Sequence, residues 1–428
     1  LDTSGNFTAV APVTGMSPNG TLTGQSYPRS LVRPDRNNFA PRVSFAWRPL
    51  AASSMIVRWS YGIYYDTSVY GPIATAMSQQ APLSHSLRVS NTPETPLTLA
   101  NGFGGNGVTA PTFGIDPNFR IGYAQIWLAS VQRDLPFALQ MTASYSGTKG
   151  TRSVQQFLPN TFPAGAADPC PACPSGFTYM TSNGNSTRES GQLNLRRRLR
   201  SGFTAELQYV YSKSIDDAAL GGRVAGASAA NQGTYLIAQD WTDLSAERGL
   251  SNFDQRHAIT ATGQYTTGQG IHGGTLLSGW RGTLLKEWTI STQITGGTGL
   301  PLTPVFFAAT GNSGVIGSLR PDYTGAPVYS NTQGLNLNPA AFVKPTGHYG
   351  NAGRNIITGP AQFSMAASLG RTFRLNDRLS ANLRFDATNV INHVTFPNWN
   401  TTVGNQQFGL PTTANPMRTL QTTVRVTF

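Results

Sequence analysis

Charge is scarce in this 428-residue sequence: Asp, Glu, Lys and Arg make up only 12% of it, about half the share usual in soluble proteins. Long apolar runs are missing as well. No stretch approaches the 18 apolar residues of a membrane helix, which excludes a helical membrane protein. Helical periodicity is almost absent. Only two cysteines occur, Cys170 and Cys173, in the Pro- and Gly-rich segment "DPCPACPSG". Their CxxC spacing fits a redox pair or half a zinc site, yet no second CxxC or HxxxH exists and no strand–helix context follows. A local disulfide formed in an oxidising compartment is the preferred reading. The chain opens "LDTSGNF" without initiator Met or signal peptide, so a removed targeting sequence or a piece of a longer protein is expected.

The acid–base balance is lopsided, with a net charge of +12 and a pI near 10.0. Nucleic-acid binding is one reading of that. The basic residues are spread thinly, however, and the one dense run is "LRRRLR" at 195–200. A lipid-phosphate surface fits better, and no nucleic-acid partner is expected. Hydrophobic residues account for 39% and mean hydropathy is −0.23. Gly is abundant at 46, and Ser, Thr, Asn and Gln are frequent. Such a chain is neither charged nor greasy, as suits many strands with one polar and one apolar face.

Strict two-residue alternation picks out eleven strands: 42–48, 55–65, 123–133, 137–147, 188–200, 203–213, 255–266, 287–297, 363–373, 379–390 and 418–428. Along one of them Val57, Trp59, Tyr61, Ile63 and Tyr65 alternate with Arg58 and Ser60. Along another Leu379, Ala381, Leu383, Phe385 and Ala387 alternate with Ser380, Asn382, Arg384, Asp386 and Thr388. A soluble sandwich or propeller also alternates, but three features favour a transmembrane barrel. Tight links ("PLAASS", "DLPF", "SG", "LNDR") take turns with the long connections 66–122, 148–187, 214–254, 298–362 and 391–417, and 267–286 is the one long link on the short side. Aromatics gather at strand ends: Tyr64, Tyr65, Tyr145, Tyr209 and Tyr211 toward the long loops, and Trp47, Phe203, Tyr265, Trp288, Phe373 and Phe428 toward the short links. Tilted strands of about ten residues also match a bilayer core, and only closed barrels satisfy strand backbones in lipid.

The fold class expected is therefore all-β, an antiparallel transmembrane β-barrel with long extracellular loops, placed in the outer membrane of a Gram-negative cell. Eleven strands is an odd number, whereas single-chain bacterial barrels have an even one. Eleven is half of the 22 strands of plugged transporters. Residues 42–428 then read as the C-terminal part of such a barrel, and 1–41 as the remnant of an extracellular loop. The final strand, with Val424, Val426 and Phe428 on one face, ends on an aromatic residue and resembles the signal read by the barrel assembly machinery.

Eight stretches, in order, resemble one family: "NNFAPRVSFAWRP", "VRWSYGIYYD", "ASVQRDLP", "YVYSKSIDDA", "AERGLSNFDQRH", "TGLPLTP", "GNAGRN" and "FDATNVINH". As a set they look like the C-terminal barrel of the TonB-dependent-receptor-like, Oar-like proteins abundant in Acidobacteria, whose N-terminal part is a carboxypeptidase-regulatory-like sandwich followed by a plug. The resemblance covers about residues 38–428. It implies energy-coupled uptake of a solute, with the TonB system acting through an N-terminal part that this sequence lacks.

No catalytic constellation emerges, and no cofactor is expected. His257 lies near Asp254 and Arg256, but no GxSxG elbow accompanies it, and a polar anchor at the start of a strand is the preferred reading. Adjacent Asp216 and Asp217, beside Lys213, lack the further ligand spacing of a calcium site. "GNAGRN" (350–355) is followed by no Lys-Ser/Thr and no helix, so it reads as a turn and not a phosphate cradle. Function is instead expected on the polar face, where Arg58, Arg196, Arg198, Glu206, Arg384, Asp386 and Arg425 would face the lumen. Arg197 falls on the apolar side near the short links, where it could snorkel to lipid phosphate. Outer-membrane lipid and an unidentified solute are the partners expected, with a surface adhesin or structural protein and a passive porin as alternatives.

Overall fold

A computed structural model describes residues 32–78, 118–157, 178–217, 243–269, 276–308, 317–332, 334–374 and 379–428. Shorter pieces are described at 9–11, 15–17, 87–88, 98, 108–109, 113–116, 162–163, 165–167 and 238–240. Eleven antiparallel strands form one continuous wall: β1 (Arg42–Trp47), β2 (Ile56–Tyr65), β3 (Tyr123–Leu135), β4 (Leu139–Phe157), β5 (Thr178–Arg200), β6 (Phe203–Asp216), β7 (His257–Thr266), β8 (Thr289–Gly297), β9 (Gln362–Arg374), β10 (Ser380–Thr388) and β11 (Thr419–Thr427). Each strand pairs with its sequence neighbours, and the path begins at β1 and ends at β11 without closing. The two outer edges therefore have no strand partner among the described residues.

Register carries the alternation across the wall. Residues directly opposite each other share a face, so one apolar row runs Phe45, Trp59, Ala129, Tyr145 across β1 to β4. Another runs Phe203, Tyr265, Ile290, Leu369, Phe385 across β6 to β10. The opposite face carries Thr204, Gln264, Ser291, Ser368, Asp386 and Gln421 in a single row. A single-layer sheet has no second layer to cover its apolar side. Ile290 and Phe385, on the interior strands β8 and β10, are accordingly 47% and 42% exposed. Such a surface is stable only against lipid.

At one end the links are short. The β5–β6 turn is Ser201–Gly202, both with positive φ (52° and 75°), the conformation that suits the twist of a two-residue hairpin. A Cβ on Gly202 would also stand 2.2 Å from the Thr266 carbonyl, so only glycine fits there. The link between β7 and β8 is longer and contains the helix α2 (Gly279–Leu285). The other helix, α1 (Tyr70–Ser78), lies in the long connection after β2.

Two expectations are corrected. The segment 148–187, read as loop, is strand over 148–157 and 178–187: β4 and β5 continue their ladder from Thr148↔Arg188 up to Tyr179↔Phe157. These strand extensions are polar on both faces (Thr148, Lys149, Thr151, Ser153; Thr181, Asn183, Asn185), so no alternation marks them. At about 3.4 Å per residue they rise well beyond a bilayer core. Tyr64, placed in the aromatic girdle, instead stands on the polar face, since Tyr65 beside it takes the apolar one; the Arg42 guanidinium lies 4.4 Å from its ring centre. Cys170 and Cys173 lie outside the described residues.

The described parts of the connections 298–361 and 389–418 are folded. Short ladders pair Pro301–Leu302 with Ile357–Thr358 and Asp322–Tyr323 with Phe342–Val343. Leu302, Leu337, Ala341, Phe342, Ala352, Ile357 and Phe408 close a hydrophobic core between the connections 298–361 and 389–418. A second core gathers Val69, Ile115, Phe119, Ile121 and Met180.

Candidate functional site

The polar face holds a concavity of about 440 Å³ over β5 to β10. Four of the charged residues singled out from the sequence line it together: Arg196, Glu206, Arg384 and Asp386. Arg196 stands directly opposite Glu206, whose carboxylate accepts a hydrogen bond from Asn194 Nδ2 at 2.7 Å. Arg384 reaches along its own strand to Asp386, with Nε and Nη2 each 2.8 Å from one carboxylate oxygen. Both side chains of that pair keep solvent contact, 57% and 31% exposed. Between the two charge pairs lie Thr, Ser and Gln side chains on β7, β8 and β9. The surface is balanced in charge and dense in neutral donors and acceptors. It can hydrogen-bond a polar solute.

The three remaining candidates on this face lie outside the concavity. Arg58 donates to Gln132 Oε1 at 2.8 Å. Arg198 pairs with Asp134 at 3.0 Å. Arg425 stands opposite Asn382 on the edge strand β11. On the apolar side, Arg197 lies with its guanidinium 4.7 Å from the centre of the Phe203 ring, a cation–π contact near the short links.

At the long-loop end lies a buried clasp that pattern reading did not assemble. Its centre is Arg354, with a side chain only 4% exposed. It donates to the Asp216 carboxylate and, at 2.6 Å, to the Asp216 carbonyl at the end of β6. Its Nε donates to the Glu247 carbonyl at 2.8 Å. The Glu247 carboxylate in turn takes Arg320 Nη1 at 2.6 Å and the Gln239 backbone N–H at 3.1 Å. Gln239 spans onward, donating to the Gly350 carbonyl at 2.8 Å and accepting the Arg320 N–H at 3.0 Å. A Cβ on Gly350 would stand 2.1 Å from the Arg320 carbonyl, so this close approach requires glycine. Asn355 Nδ2 donates to the Leu250 carbonyl and its Oδ1 accepts Thr303 Oγ1, which ties in the "TGLPLTP" segment.

Local capping sets this geometry. Asp243 caps the short 3-10 turn Leu244–Glu247 by accepting from Ser245 Oγ at 2.6 Å and Ser245 N at 3.0 Å. Those bonds, the hydroxyl first, hold the Asp243 carboxyl below its ordinary range. The turn aims Glu247 inward. Burial, and secondly the charge of Asp240, push the Tyr349 phenol well up.

The other sequence candidates resolve into parts of this scaffold. Asp216 and Asp217 face different neighbours: Asp217 accepts the Asn185 N–H at 2.5 Å and Gln155 Nε2. Among the described residues no cluster of three or more potential metal ligands occurs. Asp254 accepts the Ser214 N–H at 2.5 Å, while His257 turns to Tyr209, its Nδ1 2.7 Å from the hydroxyl. "GNAGRN" is a turn as expected, but one whose Arg354 fastens three chain segments. Sequence reading missed Gln239 and Arg320 because neither lies in a periodic element. The one signal available was that "YVYSKSIDDA", "AERGLSNFDQRH", "TGLPLTP" and "GNAGRN" all contribute.

The sequence profile of a family described as "Outer membrane beta barrel domain" matches residues 2–421. No curated protein matches the sequence. Among solved structures, the outer membrane transporter YddB from Escherichia coli is similar over 91% of this chain and 40% of its own length, with 10% identity and a TM-score of 0.51. The ferripyoverdine receptor of Pseudomonas aeruginosa (10% identity, 92% and 33% covered, TM-score 0.41) and the FrpB iron transporter of Neisseria meningitidis (12%, 91% and 38%, TM-score 0.40) also align. The chain thus spans 40% or less of the length of these proteins, and the YddB match speaks to fold alone.

Proposed function

The chain belongs to the outer membrane beta-barrel domain family, a protein of the outer membrane, and from that premise we propose that it forms part of the wall of an energy-coupled transporter of the TonB-dependent-receptor type. In this reading residues 42–428 are the C-terminal part of a 22-stranded barrel, and 1–41 belong to an extracellular loop. Two features support it: the wall stays open at β1 and β11 among the described residues, and it matches 91% of this chain against 40% of YddB. The Oar-like subtype rests on the eight sequence stretches, four of which meet in the clasp. Arg58, Arg196, Arg198, Glu206, Arg384, Asp386 and Arg425 line the solute path. The solute, the TonB system and the barrel assembly machinery are the partners, and no covalent step is assigned.

The observation that carries the reading is the polar row from β6 to β11, backed by an apolar row on the other side of β6 to β10. Its test is uptake by cells that make the full-length protein. Uptake is expected to stop when a protonophore collapses the inner-membrane gradient, and to fall when Arg384 and Asp386 are both replaced by Ala. Steady conductance through planar bilayers, with uptake indifferent to the protonophore, would replace the transporter with a passive porin.

A further inference from the structure

The link 267–288 is the one long connection at the short-link end of the wall, and its described part is fastened to it. Arg371 Nη1 and Trp288 Nε1 both donate to the Leu284 carbonyl, at 2.7 and 2.9 Å. Thr267 Oγ1 donates to the Leu285 carbonyl. These side chains satisfy carbonyls that the end of a helix leaves without intrahelical partners. Arg371 and Trp288 belong to the apolar face, in register with Leu383 and next to Ile290. Phe373 joins them, meeting Trp288 edge-on at 6.4 Å and lying 4.6 Å from the Arg371 guanidinium. The helix α2 is therefore fastened to the apolar side of the wall, at its rim.

Four large apolar side chains in and just before α2 stay uncovered. Leu276 is 74% exposed, Trp280 67%, Leu284 60% and Leu285 51%. Trp280 and Leu284 are one turn apart and share a helix side. Arg281 stacks on Trp280, 5.5 Å from its ring centre, and Lys286 follows the helix. The only acid in the link is Glu287.

We propose that α2 is an interfacial anchor. Leu276, Trp280, Leu284 and Leu285 enter the leaflet at the short-link rim, and Arg281 and Lys286 bind phosphate groups of anionic phospholipid there. The inference rests on the reading that the apolar face of the wall meets lipid. Two observations choose lipid over a protein partner. The exposed strip is continuous with the apolar face through Trp288 and Phe373, and its flanking charge is net positive, opposite to phospholipid headgroups. Amphipathic Trp also favours this depth.

The test uses the full-length protein in nanodiscs of phosphatidylethanolamine and phosphatidylglycerol, with Cys170 and Cys173 replaced by Ser. Spin labels are placed singly at Trp280→Cys, at Leu276→Cys (which keeps the tryptophan) and at Ile290→Cys on the apolar face. Collision with oxygen and with a water-soluble nickel chelate then reports depth. The expected result is oxygen-favoured collision at all three, shallower at 276 and 280. Nickel access at both 276 and 280 with protection at 290 would overturn the anchor while leaving the wall in lipid. Nickel access at all three would overturn the lipid-facing reading and the anchor with it. Native mass spectrometry adds the headgroup arm. Arg281→Gln with Lys286→Gln is expected to lower the retained phosphatidylglycerol about threefold, and unchanged retention would overturn the phosphate contact.

Discussion

Replacing Arg354 with Met tests the clasp directly. The substitution keeps much of the side-chain length but removes a buried guanidinium that serves the Asp216 carboxylate, the Asp216 carbonyl and the Glu247 carbonyl. Asp216 is then left charged with a side chain 10% exposed. Breaking a buried pair from one side costs about 3–5 kcal/mol, because the remaining charge loses its partner in a place water hardly reaches. At about 1.4 kcal/mol per factor of ten, local opening of the clasp rises roughly 10²-fold to several thousandfold. Hydrogen exchange reads this at amides beside the clasp: Ser251 N–H on the Ser214 carbonyl, Ala352 N–H on the Pro321 carbonyl and Asn355 N–H on Thr303 Oγ1. Those amides should exchange faster, while Leu207 and Ala261 in the wall keep their rates. Adding Asp216→Asn should recover part of the loss, since the stranded charge is gone. Equal protection of the three amides in wild type and Arg354→Met would refute the reasoning, as would loss of protection spread evenly over the wall.

Gly147 lies under the Trp127 ring, so that an added Cβ would meet it at 2.2 Å. Gly147→Val should cost about 1–3 kcal/mol in urea unfolding of the membrane-reconstituted protein through this forced shift, and an unchanged midpoint would contradict it. His348 Nε2 meets the Asp322 carboxylate at 2.8 Å. That bond, and next the Thr346 carbonyl, raise the His348 pKa above 6.5. A raised histidine stabilises its contact fully below the unfolded pKa and loses it as pH rises through the folded one. NMR titration should thus give a midpoint above 6.5 that Asp322→Asn moves down, and a midpoint insensitive to that change would disprove the link. Val424 stands on the apolar face and Thr423 on the polar one. Val424→Arg places a charge against lipid at about 2–4 kcal/mol and should reduce the folded protein in outer-membrane fractions. Thr423→Arg serves as the tolerated control, and equal loss in both would sink the facial assignment.

The alternation of side chains alone determined the eleven strands, the two faces and the side on which the links are short. A period of two is a local property: each residue's face follows from its neighbours, and hairpin pairing then carries that face from strand to strand. Trp59 and Arg58 could therefore be assigned to opposite sides without any tertiary information. Where both faces are polar, as in 148–157 and 178–187, the same logic is silent, and only the ladder between β4 and β5 revealed strand. The concavity lay between these cases. Its charged members were visible one strand at a time, but their convergence needed the register of six strands. The clasp and the docking of α2 were decided by the tertiary structure alone. Arg354 meets Asp216 across 138 residues and Arg320 meets Glu247 across 73. Such partners are chosen by which loop ends the wall brings together and by the need to satisfy polar groups buried there, and no periodic signal in the chain records either.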